Sequence, residues 1–212
     1  MTPARTLSLG LLLTGLAGFV DAVGFIVLGG YYTSFMSGNT TQLGAGAASG
    51  MGWALALPAA LIVLFFIGSF MGTLIAQSSS RWGQAATLGL VVLTIGLSLL
   101  LHFSGYPAAQ AMLPLALAAG TQNAVLQPIG AARLGTTFVT GTLFAAGQDL
   151  ARATAGKAPP WRWLQHVMVW AALCAGALLG ALAFGWWSTD ALLVPGIAYL
   201  ACMLWFVVVR PR

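Results

Sequence analysis

Six stretches of this chain run for about 18 residues or more with hardly a charge in them, the length that a bilayer core of roughly 30 Å asks of a helix. They are Leu7 to Gly29, Trp53 to Gln77, Ala85 to Phe103, Gln110 to Ile129, Leu164 to Trp186 and Leu192 to Val209. Only 5% of the residues are charged and 59% are hydrophobic, too little polar surface to coat a water-soluble globule of this size. The expectation is an all-α integral membrane protein forming one transmembrane domain over residues 1–212. The first apolar run follows Arg5 and looks like a secretory leader, but it has an internal counterpart and is expected to stay.

The net charge of +5 does not point to nucleic acid, because the basic residues stand singly at the ends of apolar runs instead of gathering on one face. Cys174 and Cys202 lie in separate spans without a partner spacing and read as small buried hydrophobes. His102 and His166 sit near span ends, where interfacial anchoring is their ordinary role. No ligand cluster suggests a metal or another cofactor. An intramembrane enzyme would need a nucleophile with a base beside it, and Ser37 and Asp21 have no His or Lys at their depth, so no enzyme is expected.

Two segments break the apolar pattern, 34–50 and 136–151, and they resemble each other. GFVDAV at 18–23 recurs as GTQNAV at 120–125, an offset of 102, and SFMSG at 34–38 recurs as TFVTG at 137–141, an offset of 103. The Gly-x-x-x-Gly of Gly68 and Gly72 returns as Gly176 and Gly180, an offset of 108. The chain therefore reads as a duplicated unit, repeat 1 over 7–104 and repeat 2 over 108–210, each with three spans and one polar segment.

If both polar segments enter the membrane and return, Arg5, Arg81, Arg133, Arg152, Lys157, Arg162, Arg210 and Arg212 all fall on one side, which positive charge marks as cytoplasmic. If both segments crossed, Arg81 and Arg133 would lie outside. The six-span arrangement is the expectation, with both termini in the cytoplasm. Trp53, Trp186 and Trp187 then line the outer interface, and Trp82, Trp161 and Trp163 the inner one. Three spans per unit turn the second unit over, so the repeats are inverted and each carries one re-entrant or broken helix. Non-helical backbone at that depth is tolerated only where protein buries it or a polar cavity wets it.

Within the polar segments, Ser37, Gly38, Asn39 and Thr40, and Thr140, Gly141 and Thr142, are expected to bind a solute. Short helices opening at Asn39 and Thr40, and at Thr142, would offer free N–H groups and positive dipole ends to an anion. Gln122 and Asn123, on the polar fourth span with Thr121 and Gln127, are expected to face the same cavity. Asp21 is the acidic residue deep inside a span, and an unpartnered carboxylate there costs at least about 2.5–3.5 kcal/mol. It is expected either to couple transport to a proton or cation, or to accept hydrogen bonds from N–H groups around Gly38 and hold the loop; Asn123 is its counterpart. Asp149 and Arg152 read as a surface pair. The Gly68/Gly72 and Gly176/Gly180 faces allow close helix packing, either within the chain or in a homodimer.

At GFVDAVGFIVLGGYYTSFMSGNTTQLG, residues 18–44, the chain resembles the YoaK-type family of bacterial inner-membrane proteins, most specifically at Asp21, Phe35, Gly38 and Asn39. That resemblance implies a six-span inner-membrane protein of unassigned activity. The function expected from the residues is a secondary transporter or facilitator of a small polar, anionic solute bound between the two polar segments. The alternatives are a passive channel or a non-transporting assembly or regulatory subunit.

Overall fold

The computed structural model describes residues 4–50, 52–78, 82–126 and 139–208. Among them the chain is helical, without a strand. The helices are α1 (Ala4–Val27), α2 (Met36–Ala48), α3 (Ala56–Ser78), α4 (Gly83–Phe103), α5 (Ala108–Gln122), α6 (Val139–Thr154), α7 (Arg162–Trp187) and α8 (Leu193–Val208). A 3-10 turn, Gly52–Leu55, leads into α3, and another, Ser188–Leu192, separates α7 from α8.

Four segments are long and apolar enough to cross a membrane: Thr6–Val27, Ala56–Ser78, Gly83–Phe103 and Arg162–Val208, the last taking in both α7 and α8. The protein is thus an all-helical membrane protein. The expected fourth span, 110–129, is helical only as far as Gln122, and residues 127–129 lie outside the described part. Helix α2, with 13 residues, reaches about 20 Å at 1.5 Å per residue; α6, with 16, reaches about 24 Å. Both fall short of a bilayer core.

Both short helices start earlier than expected. Helix α2 begins at Met36 rather than at Asn39–Thr40, capped by Phe35 without any side-chain hydrogen bond. The hydroxyls of Thr40 and Thr41 instead donate back to the carbonyls of Met36 and Ser37, a use open to Thr inside a helix in apolar surroundings. Helix α6 begins at Val139 rather than at Thr142.

Two close helix pairs organise the molecule, and glycine makes both. A methyl group at Gly18 on α1 would overlap the Leu173 carbonyl of α7, while methyls at Gly176 and Gly180 would overlap backbone at Gly15 and Phe19. In the other pair, α3 against α5, a methyl at Gly120 would overlap the Phe65 carbonyl, and methyls at Gly68 and Gly72 would meet Leu117 and Thr121. These contacts correspond residue for residue: 15, 18 and 19 match 117, 120 and 121 at an offset of 102, and 65, 68 and 72 match 173, 176 and 180 at 108. Small residues let helices approach where lipid leaves no other driving force. The glycine faces considered for a homodimer are covered inside the chain by α1 and α5.

Between the pairs, Leu13, Leu88, Val91, Met112 and Leu115 form a fully buried core with Leu192 and Tyr199. At one end of the bundle Asp149 is buried and joins α6 to α7: its Oδ2 lies 3.0 Å from Arg162 Nε and 3.4 Å from His166 Nε2, and its Oδ1 lies 3.4 Å from Arg152 Nη1. The Asp149–Arg152 pair read from the sequence is present, but Asp149 is buried and not at the surface as expected, because Arg162 and His166, on the first turns of the next helix, close over it.

A carboxylate and three rings around one cavity

The chain between α1 and α2 is short and irregular. It passes left-handed through Gly29 (φ 65°) and Gly30 (φ 103°), conformations that favour glycine, and then folds back over α1. Asp21 on α1 fastens it. The Oδ1 atom accepts hydrogen bonds from Thr33 N, Thr33 Oγ1 and Ser34 N, each at 2.8 Å. Bonds from neutral donors to a charged group contribute about 1.5–3 kcal/mol each, which offsets part of the cost of burying the carboxylate. These bonds tie the loop to α1, and their donors are Thr33 and Ser34 and not the amides around Gly38. Gly24 lets Thr33 come this close, because a side chain there would meet the Thr33 methyl.

A second clamp works from the other end. Asn39 is fully buried; its Oδ1 accepts from Tyr32 N at 3.0 Å and its Nδ2 donates to Tyr32 O at 2.7 Å. Gln42 Nε2 donates to Gly30 O at 2.9 Å. Gly38 leaves room for the rings of Tyr32 and Phe35, which a β-carbon would strike. As a result Tyr32 stacks tilted on Phe25, centroids 4.9 Å apart, and meets Phe35 edge-on at 5.2 Å. The polar residues of the GNTTQ stretch thus set the backbone and rings of the loop before them.

That loop and the first turn of α6 line one cavity of about 320 Å³. Asp21 contributes from α1, and Tyr32, Ser34 and Phe35 from the loop. Val139, Thr140 and Leu143 come from α6, and Trp170 and Leu173 from α7. Phe35, Thr140, Leu143 and Trp170 are exposed, whereas Ser34 is buried. The three short bonds to Asp21 fall on Oδ1, and the Ser34 hydroxyl also approaches the carboxylate.

Of the residues singled out from the sequence, the structure brings Asp21 and Thr140 to this cavity. Ser37, Thr40 and Gly141 are exposed and lie outside its lining. Gly38 and Asn39 act on Tyr32 from behind. Gln122 is buried on the far side of Thr33, donating to Leu13 O at 2.8 Å and accepting from the hydroxyl of fully buried Tyr199, so it ties α5 to α1 and α8. A space of about 10 Å³ lies there between Thr33, Gln122 and Tyr199, room for one water. Asn123 Nδ2 donates to Ala119 O at 3.2 Å, within its own helix; Thr142 lies on α6, half-buried. Gln127 and the start of the second polar segment, residues 136–138, fall outside the described residues. Sequence reasoning missed Tyr32 and Trp170. The signal for Trp170 was its place about 12 Å into α7 by helix rise, away from either interface.

A family model described as a protein of unknown function, DUF1275, matches residues 9–205. The chain is 32% identical over 200 residues to a UPF0700 transmembrane protein of Rhizobium meliloti, covering 92% of this chain and 85% of that protein. It is 25% identical over 177 residues to the UPF0700 transmembrane protein YoaK of Bacillus subtilis, covering 79% of each. No solved structure matches.

Proposed function

The chain belongs to the DUF1275 family of proteins of unknown function, as the expected resemblance to YoaK-type proteins implied, and we propose that it is a transporter or facilitator of a small polar solute. One observation carries the reading: residues just before α2 and the first turn of α6, the two polar segments of the repeats, line the same cavity beside an intramembrane carboxylate. Ionisable groups inside a membrane commonly mark solute or ion paths, and a volume of about 320 Å³ lies in the range of small-molecule sites.

The architecture that goes with this reading is six spans arranged as two inverted repeats, with α2 and α6 re-entering from opposite faces. The matching glycine contacts of α1 with α7 and of α3 with α5 support it, since each repeat then packs its first span on the second span of the other. Arg152, Lys157 and Arg162, grouped around the α6–α7 turn, favour a cytoplasmic location for that end and for both termini, in the inner membrane. Asp21 is the group in the cavity able to exchange a proton or a cation, which makes it the candidate for coupling.

The test is solute entry into proteoliposomes. Vesicles shrunk by hyperosmotic choline chloride, glycerol or sodium acetate should regain volume faster than protein-free vesicles with at least one of them. Thr140→Trp, which fills the cavity from its exposed side, should abolish the gain. Equal rates with and without protein for all three solutes would defeat the proposal. If entry is found, accumulation driven by an imposed proton gradient in the parent protein and not in Asp21→Asn would identify a coupled transporter; indifference to the gradient would make it a channel.

A further inference from the structure

We infer that the cavity beside Asp21 takes a small organic ammonium ion. The inference rests on the solute-binding reading above and reverses the sign of charge that free helix amides suggested. The Thr33 and Ser34 amides, which approach α2 and could have held an anion, already hold the protein's own carboxylate through Asp21 Oδ1.

The aspartates of the chain differ in how their charge is met. Asp149 has Arg152, Arg162 and His166 around it, and Asp190 lies 3.8 Å from His102 Nε2. Asp21 has hydroxyl and amide donors, and among the described residues no Lys, Arg or His lines its cavity. A cation has a prepared place there, because the carboxylate lines the cavity and is met only by neutral donors from Thr33 and Ser34.

The rest of the wall says which cation. A metal ion would look for about six oxygen ligands, whereas this wall offers, besides Asp21, the hydroxyls of Ser34, Thr140 and Tyr32. Three aromatic rings, those of Tyr32, Phe35 and Trp170, border the same space. Rings attract a cation through their negative faces and accept alkyl groups on it, which suits an ammonium carrying methyl or methylene groups and not a bare metal. Gly38 and Asn39 hold Tyr32 and Phe35 in place from behind, so two of the three rings are set before any solute arrives. A volume of about 320 Å³ equals roughly ten waters at about 30 Å³ each, room for a small amine or quaternary ammonium compound.

The experiment is binding of radiolabelled choline to the full chain in detergent, by scintillation proximity, with tetramethylammonium, 3,3-dimethyl-1-butanol and sodium acetate as competitors. Tetramethylammonium should displace choline; the uncharged butanol, its near match in shape, and acetate should not. Asp21→Asn should weaken choline binding on the order of tenfold or more, and Asn123→Asp should leave it unchanged. Trp170→Ile, which spares the carboxylate and its loop, should also weaken it, so the inference stays testable if Asp21→Asn does not fold. No saturable choline binding, equal competition by the butanol, or full affinity in both Asp21→Asn and Trp170→Ile would overturn the inference. Choline binding without solute entry into vesicles would uphold this site and defeat transport; entry of glycerol or acetate without choline binding would do the reverse.

Discussion

The two halves of the chain agree in their packing and part company in their chemistry. Where α1 meets α7 and α3 meets α5, glycine faces backbone at matching positions throughout. Around the cavity the matches fail: Asp21 corresponds to Asn123, Trp170 to Ile62, and Tyr32 to a position occupied by Leu134 or Gly135, depending on where the single inserted residue falls. The contacts that match are the ones that let helices approach, which depend on the absence of a side chain. The charge and the rings were gathered on one side only. Matching helix contacts beside one chemically distinct cavity are what that difference describes.

The largest expected effects test the scaffold. Gly18→Ala and Gly120→Ala should each destabilise the protein, by about 1–3 kcal/mol for a methyl forced against backbone, measured as the unfolding midpoint in detergent. Gly185→Ala, with nothing near the added carbon, should leave the midpoint in place. If Gly120→Ala proves silent while Gly18→Ala does not, the two helix pairs are alike in geometry but not in energy, and the comparison breaks at its firmest point.

Next comes the clamp. Asn39→Ala strips Tyr32 of partners for both its N–H and its carbonyl, and leaving such groups unpaired costs about 1–3 kcal/mol. The matching residue in the second half is Thr142, whose one oxygen would have to donate and accept at the same point, where the Asn39 amide has a separate atom for each bond. Thr142→Ala should therefore lower the unfolding midpoint less than Asn39→Ala. Equal losses would mean that both loops are held alike and that the first half has no special fastening.

These same residues mark what could and could not be read in advance. The long spans were legible because lipid enforces apolar length, and the glycine pairs because close approach admits little else. Their partners were not legible: a Gly-x-x-x-Gly face says that a helix comes near without saying which one. The polarity of Asn39 and Gln122 suggests solute contacts. In an apolar interior, however, broken backbone and helix crossings also need polar clamps, and both side chains serve that need. The cavity was hidden for another reason. It draws one to three residues from each of several segments, and Trp170, Leu143 and Leu173 look like any other apolar residues until α7 is set against α1.

A smaller effect probes the rings. Trp170→Ile gives α7 the residue that α3 carries at its matching position, Ile62, and should lower choline affinity about two- to fivefold, the worth of one exposed cation–ring contact, with the unfolding midpoint little changed. The reciprocal Ile62→Trp should create no second site, because Asn123 supplies no charge beside it.

The smallest expected effect is also the most exacting for the comparison. Ser37 and Thr140 occupy the same place in the first turns of α2 and α6, at the offset of 103 that relates SFMSG to TFVTG, and both residues are exposed. Only Thr140 lines the cavity at Asp21. Thr140→Ala should shift choline affinity by about twofold, the loss of a weak polar contact at a wetted site. Ser37→Ala should do nothing to binding and should move stability by no more than about 0.5 kcal/mol, as surface changes generally do. Titrating choline on both variants separates the two. Equal losses at Ser37 and Thr140 would mean that the site spans both halves, and the asymmetry drawn from Asp21 and Asn123 would then be wrong.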